Sequence, residues 1–113
     1  MRELFQRTKD ATIAVAARAA INSRLRGIGE LTELTIDTKN KTILARLDLI
    51  GENEPVAIHV TEYRLHTDNP GPRVKIEGAT ASREWLNVVL QQFVIGKTFP
   101  IPAKVEPLLK FLS

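Results

Sequence analysis

The chain has no cysteine, one tryptophan and one tyrosine in 113 residues. Without thiols there is no disulfide framework, no thiol nucleophile and no Cys-ligated zinc or iron–sulfur site. Aromatics are only 5% of the chain, so the basic residues lack the interleaved rings that grip nucleic acid bases. No apolar run approaches the roughly 20 residues of a membrane-spanning helix. Neither charge sign dominates, with 16 basic against 13 acidic residues. No serine stands in a nucleophile elbow, and Gly27-Ile28-Gly29 lacks the preceding strand and the spacing of a dinucleotide fingerprint.

The length fits one compact domain over residues 1–113, with an ordinary globular balance of 43% hydrophobic and 26% charged residues. Charge is uneven along it. Residues 1–29 carry six basic and two acidic groups, for +4. Residues 30–70 carry four and eight, for −4, and residues 71–113 carry six and three, for +3. Arg2, Arg7 and Lys9 before the apolar run from Ala11 superficially copy a signal peptide. Glu3, Asp10 and Arg18 break that pattern, which predicts a structural helix in a cytoplasmic protein.

Residues 2–26 contain neither proline nor glycine and are rich in alanine, a helix pattern that Gly27 and Gly29 end. Leu4, Phe5, Thr8, Thr12, Val15, Ala16 and Ala19 form one stripe at helical spacing. Ile13, Ala17, Ala20, Ile21 and Leu25 fall on other faces, so the helix is apolar around most of its middle. Next, Thr32, Leu34 and Ile36 alternate with polar residues, as do Ile43, Ala45, Leu47 and Leu49. A two-residue Lys39-Asn40 turn with Asn40 at positive φ would face Ile36 with Ile43, Leu34 with Ala45 and Thr32 with Leu47, and pair Glu33 with Arg46. Val56, Ile58 and Val60 begin a third strand that reaches His66. Val74, Ile76 and Gly78 mark a fourth, with Gly78 suited to a strand end or bulge.

Ser82 reads as the N-cap of a second helix through Trp85, Leu86, Val89, Leu90, Phe93 and Val94, closed by Gly96. Thr98 to Pro102 must be extended, since each proline disfavours helix before it. A short helix over residues 104–112 presents Val105, Leu108, Leu109 and Leu112. The fold class is α+β: an N-terminal helix, a four-stranded antiparallel meander, a C-terminal helix and a short terminal helix. This element order is similar to that of cystatin-like and NTF2-like folds. The meander followed by Phe99-Pro100-Ile101-Pro102 and a short helix resembles tubular lipid-binding domains. Element order alone assigns no function.

His59 and His66, seven apart in one continuous strand, point to opposite faces with backbones more than about 20 Å apart, so they share a metal only if the chain folds back near Tyr63. Glu62, Tyr63 and Arg64 lie where the third strand changes character. They read either as a polar site at a pocket mouth or as a half-buried tyrosine with an exposed ion pair, and the second is the simpler. The carboxylates are scattered, so no catalytic residue, cofactor or metal is assigned and a non-enzymatic protein is expected. What remains is surplus apolar surface. The first expectation is a homo-oligomer or protein-partner interface at Ile13, Ile21, Leu25, Leu109 and Phe111. The second is a cavity for an apolar small molecule or lipid, lined by Phe5, Val15, Trp85, Val89 and Phe93. Nucleic-acid binding through Arg18, Arg24 and Arg26, or through Arg73, Lys75 and Arg83, comes third, opposed by the acidic middle of the chain.

Overall fold

The computed structural model describes residues 2–68 and 71–101, with side chains from Asp10 onward. Helix α1 spans Arg2–Arg24. Five strands follow in one antiparallel sheet ordered as in the sequence: β1 (Gly29–Asp37), β2 (Thr42–Leu49), β3 (Val56–His66), β4 (Arg73–Ala81) and β5 (Thr98–Pro100). Helix α2 (Glu84–Phe93) lies between β4 and β5. The α+β meander is as expected, with a fifth strand in place of four. The extended Thr98–Pro100 segment pairs with Arg73–Lys75 of β4. The expected helix over residues 104–112 lies outside the described residues.

The first hairpin keeps most of its expected register. Ile36 faces Ile43, Leu34 faces Ala45, and Glu33 lies opposite Arg46 with their charged groups 3.4 Å apart. Thr32, however, is bulged out, and Leu31 takes its place opposite Leu47. The connection has four residues, 38–41, and the positive φ falls on Lys41 at 59° instead of on Asn40. Asp37 is the reason. Its Oδ1 accepts the Lys39 and Asn40 amides, both at 3.0 Å, which winds the chain one residue further before it can reverse. The Asn40 amide and side chain, then Lys39, hold the Asp37 carboxyl below its ordinary pKa.

Helix α1 is buried on the face opposite the expected stripe. Asp10, Ile13, Ala14 and Ala17 are buried, whereas Val15 is 68% exposed. Ile13 and Ala17 pack with Ala16, Leu34, Ile36 and Ile101. Polar bonds fix this rotation. Asp10 accepts from the Thr38 amide (3.1 Å) and hydroxyl (2.6 Å). Nearer the other end, the Asn22 amide donates to the Leu31 carbonyl (3.1 Å) and accepts from its N–H (2.6 Å). The helix therefore runs antiparallel to β1, with Asn22 acting as a surrogate ladder partner for the edge strand. Replacing Asn22 with Ala would leave both Leu31 groups without this partner. Asn22→Ala is expected to cost about 1–2 kcal/mol, read as a lower urea midpoint at unchanged slope.

The second cluster joins Val60, Tyr63 and Ile76, with Ile43, Leu65, Val74, Ala79 and Val94 around them. It exists because β3 changes parity. Val60 faces Ala79, Glu62 faces Gly78 and Tyr63 faces Ile76, so Thr61 is extra on β3 and Glu77 is extra on β4. Val56 and Val60 are inward before the bulge, and Tyr63 after it. Gly78 makes room for it, since a Cβ there would stand 2.6 Å from the Thr61 hydroxyl. His59 and His66 consequently share the outer face, contrary to the continuous-strand expectation. Among the described residues no group of three or more His, Cys, Asp or Glu could hold a metal, and no helix is long and apolar enough to cross a membrane.

Candidate functional site

Two surface features stand out, one on α2 and one at the far end of β3. The α2 N-cap is Arg83, in extended conformation and without a side-chain cap bond. Ser82, expected in that role, instead accepts the Ala57 amide at 2.9 Å and so ties β4 to β3. Glu84 occupies the first turn, where a negative charge suits the helix dipole. Asn87 repeats the device of Asn22. Its side chain accepts from the Ala81 N–H (2.7 Å) and donates to the Ala81 carbonyl (3.0 Å), pinning the helix to the end of β4.

With Leu86 and Leu90 buried beneath the helix, Trp85, Val88, Val89 and Phe93 face outward at helical spacing. Phe93 is 64% exposed and Trp85 about half exposed. The Trp85 indole N–H donates to Glu52 at 2.9 Å, while Arg83 lies 3.6 Å from Glu52 and 3.7 Å from Glu54. The ring is thus fixed by its polar edge with much of its apolar surface left open, a common arrangement for tryptophan at interfaces. Together the four side chains expose on the order of 400 Å² of apolar area, in the size range of the largest apolar patch on a monomer, which is often functional.

The other feature is a depression of about 700 Å³ lined by Asn40, Lys41, Thr61, Glu62, Tyr63, Arg64, Leu65 and His66. It lies where β3 runs on past the first residue of β2. Tyr63 is 4% exposed, more buried than the sequence suggested, and its ring carries the Lys41 ammonium 5.8 Å from the centroid. Burial, followed by the fields of Asp10 and Asp37, pushes the Tyr63 phenol up to about 12. The Glu62–Arg64 segment therefore does border a recess, as one of the two sequence readings had it.

The residues singled out from the sequence separate in space. Ile13 belongs to the core of this chain, because the α1 face bonded to β1 is also the face that carries it. Ile21 is exposed and Leu25 half-buried, its carbonyl accepting from the Ile28 and Gly29 amides in the turn after α1. Val15 points to solvent, as do Trp85, Val89 and Phe93, so these four present outer helix faces where an enclosed lining was expected. The Phe5 side chain, Leu109 and Phe111 lie outside what is described. Arg73, Lys75 and Arg83 are each engaged by a carboxylate, at 3.0 Å from Asp68, 3.4 Å from Glu77 and 3.6 Å from Glu52 respectively. Arg18 donates to the Thr32 carbonyl, while Arg24 and Arg26 are exposed.

Val88 was missed because it was not counted in the helical pattern, although its position three residues after Trp85 was the available signal. The open edge of β3 was missed because nothing in the sequence shows where β2 stops pairing. Comparison with known proteins finds no matching family, no similar characterised protein and no solved structure of similar fold.

Proposed function

We propose that this chain is a non-enzymatic assembly domain, located in the cytoplasm, that pairs with a second copy of itself through the outer face of α2. The observation that supports the reading is the exposed stripe of Trp85, Val88, Val89 and Phe93. Its chemistry suits self-pairing. Glu84 is the sole charged residue of α2, so two copies can meet across a twofold axis without like charges in the contact. A stable dimer commonly buries about 800 Å² per partner. The apolar stripe would supply roughly half of that, and the exposed Gln91 and Gln92 would contribute to a polar rim.

Sedimentation equilibrium at tens of micromolar tests this. Twice the chain mass is expected for the unaltered protein and a single chain mass for the Val88→Glu, Phe93→Glu double variant. Both residues are exposed, so the variant should keep its circular dichroism spectrum. An unaltered protein that sediments as a monomer, or a folded double variant that keeps twice the chain mass, would overturn the reading.

A further inference from the structure

The recess beside β3 is an open lane in the sheet. Three backbone bonds settle which way its groups point. The Tyr63 N–H donates to the Lys41 carbonyl at 3.2 Å, on the β2 side. Across the β3–β4 pair, Ile76, opposite Tyr63, donates to Lys97 and accepts from Gly96, on the β5 side. Tyr63 and Ile76 thus turn their backbone groups away from one another, and by alternation Leu65 and Val74 do the same. Val74 meets Phe99 of β5. Leu65 has no such neighbour among the described residues, because the pairing of β2 with β3 ends at Ile43 and Val60. Its N–H and C=O point into the recess.

Of the charged side chains that line the recess, Lys41 and Arg64 are basic and Glu62 is acidic, which leaves a net positive charge of one. Arg64 lies directly opposite Lys75, and His66 directly opposite Arg73, in two adjacent rungs. After the bulge all four are on the outer face. The Arg64–Lys75 rung sets like charges directly opposite, which is unfavourable by a few tenths of a kcal/mol. Lys75 and Arg73 are relieved by Glu77 and Asp68. Arg64 and Lys41 have no acidic partner among the described residues, and Lys41 stands at the near end of the lane. On the inner side of the same lane the neighbours are Tyr63 and Leu65, both part of the apolar cluster.

We propose that this lane receives an extended acidic segment of a partner protein, added to β3 as a short strand that continues the line of β2. Pairing geometry dictates the pattern. The residue opposite Leu65 exchanges both backbone bonds with it and shares its inward face, so it is apolar. The residues on either side lie across from Arg64 and His66 on the outer face, so the first is acidic and the second carries a hydrogen-bond acceptor for the imidazole N–H, which a carboxylate also supplies. The motif is acidic–apolar–acidic, and the site is separate from the α2 face.

A blocked five-residue peptide alternating glutamate and valine is the probe, titrated into the isotope-labelled protein at low salt. Amide shifts confined to the residues that line the recess, 40–41 and 61–66, and slowed hydrogen exchange at Leu65 are expected. Arg64→Glu, at an exposed position, should weaken binding about tenfold, and high salt should also weaken it. Methylating the peptide nitrogen of the central valine should abolish the Leu65 protection. Shifts elsewhere, no shifts, or equal shifts from inorganic tripolyphosphate without Leu65 protection would overturn the proposal, the last reducing the site to a plain anion patch.

Discussion

Leu31→Ala is expected to lower the unfolding free energy by about 3–4 kcal/mol, within the range for emptying a closed leucine site. Leu31 and Val56 are the largest fully buried side chains, at 2% and 0% exposure. Leu31 has little room to relax. Its backbone is gripped by Asn22 on one side and its residue pairs with Leu47 on the other, next to the bulge at Thr32. Domains of this size are held by about 5–15 kcal/mol, so the loss would remove about a fifth or more of the total. Urea unfolding followed by Trp85 fluorescence and by circular dichroism should show a lower midpoint at unchanged slope. Val15→Ala, on the exposed side of α1, should stay within about 0.5 kcal/mol. A Leu31→Ala loss below about 1 kcal/mol would mean that the cavity collapses.

The second large effect is alkaline. Tyr63 is the single tyrosine, so the rise of phenolate absorbance reports one site. In the folded protein the midpoint is expected at about 12, against an ordinary value of 10.0. Desolvation of the buried ring is the main cause, and the negative charges of Asp10 and Asp37 add to it. Because the folded state holds its proton more tightly than the unfolded one, this contribution is complete below pH 10. It is lost as the pH climbs from 10 to 12. The loss is about 3 kcal/mol across that interval, from about 1.4 kcal/mol per pH unit. Tyr63→Phe should flatten the stability profile there. A folded-state midpoint near 10 would show the phenol to be hydrated.

What the sequence made legible was local. Alternation in residues 33–36 and 43–46 placed Glu33 against Arg46 and Ile36 against Ile43, because both strands are regular over that stretch. Proline rules made Thr98–Pro100 extended, and an extended segment beside β4 became a strand. Long-range choices were less visible. The rotation of α1 follows from Asp10 and Asn22 finding backbone groups 28 and 9 residues away, and apolar periodicity is blind to such bonds. It therefore favoured Val15 as buried and left Ile13 outside. Likewise Ser82 had a better-placed donor at Ala57 across the sheet than in its own helix. At the candidate sites, Trp85, Val89 and Phe93 were recognisable as important apolar groups. Whether they faced in or out depended on Leu86 and Leu90 being buried beneath the helix.

The paired extra residues Thr61 and Glu77 act on the sheet as two compensating frameshifts act on a coding strand. Removing Thr61 alone would make β3 alternate regularly but leave Glu77 as an unmatched extra residue on β4, so Ile76 and Tyr63 could no longer meet in the second cluster without a new irregularity. Removing both would restore two regular strands with a continuous inner face, shortened by one residue each. Descendants of this chain can therefore change length here in matched pairs far more readily than one residue at a time, and Gly78 is free to take a side chain once Thr61 is gone.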